Sequence, residues 1–261
     1  MEKVITEIDS DGIARVTLDN PSKHNAFDDQ IIAQLTDAFS AVAANSNVRV
    51  MVLASEGKSF SAGADLDWMK RMASYSYDEN LQDARALALM LQTLKTMPQP
   101  TIARIQGAVF GGAVGLVSCC DIAVAATVAT FSLSEVKIGL VPATVSPYVI
   151  EAIGARAARR YFMTAERFSA QTAKHIGLLS EVIGPENLDK QIGLLIDALL
   201  ANGPEAVIAS KQLVADINGQ AIGSDLIEHT CKIIAKIRVS EQGQEGLQAF
   251  LEKRKPHWLE D

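Results

Sequence analysis

The stretch from Thr101 to Asp121 constrains the fold more than any other part of the sequence. It reads TIARIQGAVFGGAVGLVSCCD, an apolar strand that runs into the adjacent glycines Gly111 and Gly112 and then into an apolar helix. Glycines allow the backbone to approach a ligand closely. The first N–H groups of a helix have no partner inside it and lie at the positive end of its dipole. This order predicts a turn that binds a negative oxygen, although two glycines also suit an ordinary tight turn.

A second stretch has the same organisation. Residues 48–54, VRVMVLA, predict a strand that is covered on both faces, because it is apolar almost throughout. The small-residue loop at 60–66, FSAGADL, then leads into another helix. Two loops that each present one backbone N–H can form an oxyanion hole, which stabilises negative charge on a substrate oxygen.

Composition limits the kinds of protein that this chain can be. Its 261 residues, 48% hydrophobic and 21% charged, suit one large domain or one domain with a modest appendage. The formal net charge of -7 and the lack of a basic cluster argue against nucleic-acid binding. No apolar signal region starts the sequence and no apolar run approaches about 18 residues. We therefore expect no membrane partner and a cytoplasmic location.

The cysteines and histidines indicate no metal site. Two of the three cysteines are adjacent in the apolar helix, without metal-ligand spacing, and all three are predicted to be free thiols in a reducing compartment: Cys119, Cys120 and Cys231. The four histidines show no mutual spacing for a metal ion either: His24, His175, His229 and His257.

Hydrophobic periodicity predicts a chain in which strand, strand and helix recur, followed by a helical tail. Residues 4–8 and 12–18 alternate and predict a hairpin. Residues 74–78 are predicted to be a mobile connection before a long helix whose buried face carries Leu87, Leu91, Leu94 and Met97. From Pro185 onward the pattern predicts helices at 188–200, 204–217, 222–239 and 241–253.

The two glycine-containing loops are followed by SLSEVKIGLVP at 132–142, and this combination resembles the crotonase (enoyl-CoA hydratase/isomerase) superfamily. The resemblance extends over nearly the whole chain, from Leu18 to Pro256. It implies an α/β fold built as a spiral of ββα units over residues 1–195. A C-terminal helical oligomerisation region over residues 196–261 is implied as well, with a homotrimer or a dimer of trimers. The implied ligand is an acyl-CoA thioester, in which coenzyme A is part of the substrate and no separate cofactor is needed.

The resemblance also implies roles for individual residues. The N–H groups of Ala64 and Gly112 would bind the thioester oxygen as the substrate becomes an enolate, and Glu135 would be the acid and base. For the CoA portion, Lys23 and His24 match the pantetheine and phosphate entrance. Ala62 and Leu66 match the backbone that cradles adenine. Phe250 and Lys253 match a C-terminal helix that reaches the nucleotide bound by a neighbouring subunit.

One position departs from the pattern of the family's hydratases, which usually carry two glutamates. The first of these falls on Gly115, which cannot transfer a proton, so Glu135 must act alone or share the work with an unidentified group. A single glutamate fits a double-bond isomerase. It also fits a hydratase, because residues 64–72 and 138–147 are similar to bacterial hydratases of 3-methylglutaconyl-CoA or its isohexenyl relative. A non-catalytic acyl-CoA-binding protein is the third interpretation.

For the hydratase interpretation, we expect the space released at Gly115 to admit the 3-methyl branch or the distal carboxylate of the substrate. The absence of a second acid there would also relieve charge repulsion, which is costly in a pocket of low dielectric constant. Thr144 and Ser146 are candidate partners for the distal carboxylate, although their hydroxyl groups also suit a turn. Hydration is the first expectation and isomerisation the second.

Overall fold

The computed structural model describes residues 2–259, which form two β-sheets and a set of α-helices. The strands are β1 (Val4–Ile8), β2 (Ile13–Leu18), β3 (Val50–Ser55), β4 (Ser59–Ser61), β5 (Thr101–Ile105), β6 (Ala108–Phe110), β7 (Ile122–Ala126), β8 (Thr130–Ser132), β9 (Phe168–Ser169) and β10 (Glu181–Ile183). The helices are α1 (Asp29–Ala44), α2 (Leu66–Met72), α3 (Tyr77–Lys95), α4 (Gly112–Cys119), α5 (Ser146–Thr164), α6 (Ala170–His175), α7 (Leu188–Leu200), α8 (Pro204–Ile217), α9 (Ser224–Arg238) and α10 (Glu241–Glu252).

The two sheets are built from consecutive pairs of strands. The six-stranded sheet has the order β1-β2-β3-β5-β7-β10, and the four-stranded sheet has the order β4-β6-β8-β9. Each of the pairs β3/β4, β5/β6 and β7/β8 gives its first strand to the larger sheet and its second to the smaller one, and a helix follows each pair. Neighbouring strands within these series are parallel. The chain thus winds as a spiral of ββα units, which confirms the predicted fold.

The stretch before the two glycines is two strands, where the sequence alone indicated one. The chain changes sheet between β5 and β6 at residues 106–107. A Cβ placed on Gly107 would lie 1.9 Å from the carbonyl oxygen of Lys58, so only glycine allows this turn to pack against the turn between β3 and β4. The close packing of the two turns keeps the ends of β4 and β6 side by side.

Both faces of the larger sheet are buried, as the apolar sequence of β3 predicts. Along β3, Val50 and Val52 face one apolar cluster, while Met51 and Leu53 face the other. The first cluster is closed by three side chains of α7: Leu188, Ile192 and Ile196. The expected domain boundary between residues 195 and 196 falls inside this helix. Because α7 packs on the sheet as one unit, the helical tail begins after it, at Pro204.

The last three long helices, α8, α9 and α10, bury few side chains. Within the described range, α8 and α9 have no fully buried residue, and α10 has only Ala249. Their exposed apolar side chains include Ile208, Val214, Ile227, Ile234, Leu247, Phe250 and Leu251. Over residues 2–259, no single helix is long and apolar enough to cross a bilayer. One pair of helices, Pro185–Leu200 and Pro204–Ile217, has that length and composition when taken together, but the pair is sharply bent.

The long helix α3 begins earlier than the sequence indicated. Residues 74–78 were expected to form a mobile connection, but α3 starts at Tyr77. Ser76 and Glu79 form a capping box, in which each side chain accepts a hydrogen bond from the other residue's backbone N–H. This cap stabilises the first turn of α3, and the helix therefore carries residues 80–87 along the candidate site.

Asn25 joins the loop after β2 to the turn that precedes β4. Its side chain is buried, its Nδ2 donates to the carbonyl oxygens of Glu56 and Ser59 at 2.8 and 2.9 Å, and its Oδ1 accepts from the N–H of Asn20 at 2.8 Å. Its φ of 54° is a left-handed value that asparagine tolerates better than most residues. One side chain thus satisfies three backbone groups and holds a strained turn.

We predict that Asn25→Ala lowers the free energy of unfolding by about 2 to 4 kcal/mol, because it leaves backbone groups without partners and adds strain at a positive φ. Urea unfolding of the variant and of an Asn47→Ala control, whose side chain is exposed, measures the difference. The control should stay within about 0.5 kcal/mol of the parent. Equal stability of the two variants would contradict the structural role of Asn25.

Candidate active site

The two glycine-containing loops predicted from the sequence lie against each other. A Cβ placed on Gly63 would be 3.1 Å from the carbonyl oxygen of Phe110, and one on Gly111 would be 3.8 Å from the Cα of Gly63. Both glycines also have positive φ, 92° for Gly63 and 56° for Gly111. A side chain would cause backbone strain at both positions, and at Gly63 it would also be crowded by Phe110. The glycines therefore bring the residues that follow them, Ala64 and Gly112, to one place.

The backbone N–H of Ala64 is left free by the pairing around it. The N–H of Phe27 donates to the carbonyl oxygen of Gly63 at 2.7 Å, and the N–H of Asp65 donates to the carbonyl oxygen of Phe27 at 2.7 Å. In such a parallel bridge, the central residue of the second segment directs its own N–H away from the first. No described residue accepts a hydrogen bond from Ala64 N–H, so this donor is available to a ligand.

Gly112 supplies the second free donor because it is the first residue of α4. Gly111, at the N-cap, donates its own N–H to the carbonyl oxygen of Ser132 at 2.9 Å, and its carbonyl accepts from Val114. The N–H of Gly112 lies in the first turn of the helix and has no acceptor among the described residues. The helix dipole adds a positive potential at this point. Two unpaired donors from adjacent loops are what a negatively charged oxygen requires.

Glu135 lies beside these donors, at the start of the short 3-10 helix Glu135–Ile138. A Cβ placed on Gly111 would be 3.4 Å from Glu135 Oε1, so the carboxyl group packs directly on the N-cap of α4. Its Oε2 atom is buried and has no hydrogen-bond partner among the described residues. Burial raises the pKa of Glu135, and a backbone N–H only partly opposes this. A desolvated, unpartnered carboxyl group is suited to exchanging a proton with a ligand.

Ala64, Gly112 and Glu135 open into one cavity of about 260 Å³. Its walls are mostly apolar, and Asp83 and Glu135 are the only charged side chains among the described residues that line it. The others are Phe27, Ala64, Trp68, Met72, Asn80, Ala84, Leu87, Gly112, Leu140, Val141, Pro142, Ala143, Thr144 and Val145. The cavity can therefore enclose an acyl chain with its thioester oxygen on the two N–H groups.

Gly115 does not open space for a substrate branch, and that expectation is wrong. The residue is buried in α4, outside the lining of the cavity. A Cβ placed on it would lie 2.6 Å from Val145 Cγ1 and 3.3 Å from Leu91 Cδ2. The volume that a glutamate would need is filled by Val145, which lines the cavity itself. Having Gly115 in place of a glutamate thus gives the cavity an apolar wall but does not make it wider.

The two hydroxyl residues named as partners of a distal carboxylate differ in placement. Thr144 lines the cavity. Ser146, the first residue of α5, donates its hydroxyl to the carbonyl oxygen of Ala143 at 2.7 Å and is absent from the lining. Ser146 therefore takes the turn-forming role that the sequence also allowed, and its contact with a substrate stays a prediction. Thr144 keeps a position from which it can contact an acyl chain.

The residues expected at the CoA entrance lie together at the start of α2, outside the cavity. Lys23 Nζ contacts Asp65 Oδ2 at 2.7 Å and Asp67 Oδ2 at 3.3 Å. This ammonium group holds the pKa of Asp65 below its ordinary range. The positive charge is thus already paired by two carboxylates, and any CoA phosphate would compete with them. Lys23 consequently anchors the loop before α2, and its role toward CoA stays a prediction.

The other three residues of the expected entrance are exposed. The N–H of Ala62 donates to the carbonyl oxygen of His24 at 2.9 Å, and His24 Nδ1 shares a hydrogen bond with Ser59 Oγ at 3.2 Å. Leu66 is 72% exposed. Its exposed side chain and the exposed Ala62 leave an accessible surface beside the two glycine-containing loops.

Phe250 and Lys253 lie at the C-terminal end of α10, away from the residues that line the cavity. Phe250 is 81% exposed, and Lys253 caps the helix in a left-handed conformation with φ of 57°. Both are free to meet another molecule. Their expected contact with a neighbour's nucleotide stays a prediction.

Sequence reasoning missed Asp83 and Trp68 as residues of the site. Trp68 Nε1 donates to Asp83 Oδ1 at 3.1 Å, and both side chains line the cavity. A signal was present, because Leu91, Leu87 and Asp83 recur at four-residue spacing on one helix face. The apolar stripe simply ends in a carboxylate one turn earlier. The prediction named only the apolar residues of this face, from Leu87 onward, and so did not include Asp83.

Comparison with known proteins shows which family the chain is similar to. The sequence profile of the family described as "Enoyl-CoA hydratase/isomerase" matches residues 9–261. The crystal structure of an enoyl-CoA hydratase from Shewanella pealeana is 44% identical and superposes with a TM-score of 0.95, covering 98% of this chain and 96% of that one. An enoyl-CoA hydratase from Mycobacterium smegmatis is 30% identical, with a TM-score of 0.92 and 99% coverage of both chains. The 2,3-dehydroadipyl-CoA hydratase of Escherichia coli is 29% identical over 92% of each chain.

We predict that Gly115→Ala lowers the free energy of unfolding by about 1 to 2 kcal/mol. Overpacking against the stiff Val145 side chain costs about 1 to 3 kcal/mol, while the better helix propensity of alanine returns at most about 1 kcal/mol. In a double-mutant cycle with Val145→Ala, the second substitution should remove most of this penalty, giving a coupling of at least about 1 kcal/mol. Additive effects, or a stabilised single variant, would show that Val145 does not occupy the space.

Proposed function

The chain belongs to the enoyl-CoA hydratase/isomerase family, and we propose that it adds water across the double bond of an α,β-unsaturated acyl-CoA. The observation that supports this most is the buried, unpartnered Oε2 of Glu135 in the same cavity as two unpaired N–H groups. An unpaired buried carboxyl group is costly unless a ligand uses it. The two N–H groups can stabilise an enolate oxygen and Glu135 can transfer a proton, and hydration requires both.

In the proposed reaction, the thioester oxygen accepts hydrogen bonds from the N–H groups of Ala64 and Gly112. Glu135 removes a proton from water while the hydroxyl oxygen bonds to the β carbon. The electrons of the double bond move toward the thioester, whose oxygen becomes an enolate held by the two donors. The protonated Glu135 then returns its proton to the α carbon, the enolate collapses, and the carboxylate is regenerated. One carboxyl group thus serves as base and then as acid.

We further propose that the acyl chain is of the branched glutaconyl type, as in 3-methylglutaconyl-CoA. The similarity of residues 64–72 and 138–147 to hydratases of such esters supports this choice. The Escherichia coli relative is named for 2,3-dehydroadipyl-CoA, whose acyl chain also ends in a carboxyl group. Thr144 lines the cavity and has a hydroxyl group that can contact such a terminus. Because Val145 fills the space at Gly115, the 3-methyl branch must lie elsewhere among the apolar lining.

Isomerisation of a double bond is the second candidate, and one observation favours it. Among residues 2–259, Glu135 is the only carboxyl group that packs against the N-cap of α4, and one carboxyl group can move a proton between two carbons of a bound chain. A 3-enoyl-CoA distinguishes the reactions, since an isomerase shifts its double bond without adding water. A non-catalytic binder would exchange no proton at the α carbon in D2O. The desolvated Glu135 argues against such a binder, since binding alone has no use for it.

We also propose that the chain forms homotrimers or dimers of trimers. The exposed apolar side chains of α8, α9 and α10 support association, because patches of this kind usually contact another protein surface. In such an assembly, Phe250 and Lys253 would contact the nucleotide portion of a neighbour's CoA.

We predict that Glu135→Gln reduces kcat for hydration of 3-methylglutaconyl-CoA by about 10²- to 10⁴-fold. Glutamine keeps the size of the side chain but cannot accept the proton of water, so KM should change far less than kcat. Formation of 3-hydroxy-3-methylglutaryl-CoA, followed by chromatography, measures the rate. A Glu228→Gln control removes the same charge from an exposed position on α9 and should leave the rate unchanged.

Two outcomes would contradict this proposal. Full activity in the Glu135→Gln variant would mean that another group transfers the proton. A parent protein that shifts the double bond of a 3-enoyl-CoA but never adds water would be an isomerase.

A further inference from the structure

The cavity contains a second carboxyl group that the proposed reaction does not use. Asp83, on α3, accepts a hydrogen bond from Trp68 Nε1 through Oδ1 at 3.1 Å. Its other oxygen, Oδ2, has no donor among residues 2–259. The side chain is half-buried and lines the cavity. The Trp68 indole thus fixes the orientation of the carboxyl group and leaves one oxygen for a ligand.

Among the described residues around Asp83, no positively charged side chain is left without a partner. Arg71, on α2, is the nearest positive group that affects it, and Arg71 forms a salt bridge with Asp29 at the start of α1. Glu135 lines the same cavity, and no Lys, Arg or His among the described residues does. Burial raises the pKa of Asp83, and the Trp68 hydrogen bond opposes this only in part. A second full negative charge beside Asp83 would therefore be unfavourable.

The nearby polar groups add acceptors. Asn80, one turn before Ala84 on α3, donates its amide nitrogen to the carbonyl oxygens of Tyr75 and Ser76 at 3.2 and 3.0 Å. Its amide oxygen is the part left for a ligand. This region of the cavity thus offers two acceptors, from Asp83 and Asn80, to whatever reaches it. A group that donates a hydrogen bond fits here, and a bare carboxylate does not.

Asp83 lies on α3 at a distance from the part of that helix that packs on α4. On α3, it is eight residues from Leu91, which packs beside Gly115, and this separation is about 12 Å along the helix axis. On α2, Trp68 faces the cavity while Leu66 is exposed on the opposite side. A thioester held at Ala64 and Gly112 would thus direct its acyl chain along Trp68 toward Asp83.

We propose that Asp83 recognises the distal end of the acyl chain by accepting a hydrogen bond from it, so that a chain ending in a carboxyl group binds with one proton shared between the two carboxyl groups. This inference rests on the proposed function, because it specifies how the same cavity selects a glutaconyl-type substrate. Carboxyl pairs that share a proton are a known consequence of two acids in one site.

The sharing of a proton has a measurable consequence. Above the pKa of both carboxyl groups, each is ionised before binding, so forming the complex requires uptake of about one proton. Affinity for a carboxyl-terminated chain should then weaken about tenfold for each unit of rising pH. Asp83→Asn can still accept the hydrogen bond from Trp68, but its amide donates directly to a carboxylate. The variant should need no proton, and at high pH it should bind the carboxylated chain more tightly than the parent.

The test uses two unreactive ligands, glutaryl-CoA and pentanoyl-CoA, which have the same chain length and differ in the terminal carboxyl group. Isothermal titration calorimetry in buffers of different ionisation enthalpy, between about pH 6.5 and about pH 8.5, counts the protons taken up. We expect uptake of about one proton for glutaryl-CoA with the parent and none with Asp83→Asn. Pentanoyl-CoA should cause none in either protein. Asp78→Asn, an exposed change on the same helix, should behave like the parent.

Two results would overturn the proposal. If the parent takes up no proton with glutaryl-CoA, the distal carboxyl group enters as an anion and Asp83 does not share a proton with it. If Asp83→Asn takes up as many protons as the parent, another group receives them. Failure of the proposed function gives a different result. A protein that binds glutaryl-CoA with proton uptake but hydrates no unsaturated acyl-CoA would refute hydration and leave the role of Asp83 intact.

Discussion

The site depends on one close contact between two backbone segments. Gly63 packs so closely on the carbonyl of Phe110 that a Cβ would lie 3.1 Å from its oxygen, and Gly63 and Gly111 each adopt a conformation with positive φ. The contact is possible because β4 and β6 are neighbouring parallel strands of the smaller sheet. It leaves the N–H groups of Ala64 and Gly112 without partners, beside the N-terminus of α4. The spiral of ββα units brings these two strand ends together, and the chemistry proposed for the protein begins from those two donors.

The cavity contains two acidic side chains and no basic one among its described lining residues. Glu135 and Asp83 lie in mostly apolar walls with no cation among the described lining residues, and burial raises the pKa of both. A glutamate at position 115 would add a third acid, and Val145 takes its space instead. In the proposed reaction, one carboxyl group transfers the proton at the thioester end while the other selects the distal end. The low dielectric constant of the apolar cavity strengthens the electrostatic interactions of both carboxyl groups with the substrate.

The sequence predicted those parts of the site whose causes are local. The loops around Gly63 and Gly111, the start of α4 and the position of Glu135 after β8 depend on short segments, and Ala64, Gly112 and Glu135 line one cavity. The environment of Gly115 could not be predicted, because Val145 reaches it from a loop thirty residues later in the chain. Asp83 was missed because its importance comes from the contact with Trp68 on another helix. The packing of α7 on the sheet is a tertiary contact, so the sequence pattern alone could not show that this helix belongs with the core.

The most direct test of the central claim is a crystal structure of the Glu135→Gln protein with an unsaturated acyl-CoA bound. The account predicts that the thioester oxygen lies about 2.7 to 3.1 Å from the backbone nitrogens of both Ala64 and Gly112. The side chain at position 135 should then lie against the double bond. A thioester oxygen bound by other groups, or an acyl chain outside the cavity between α2 and α3, would contradict the account.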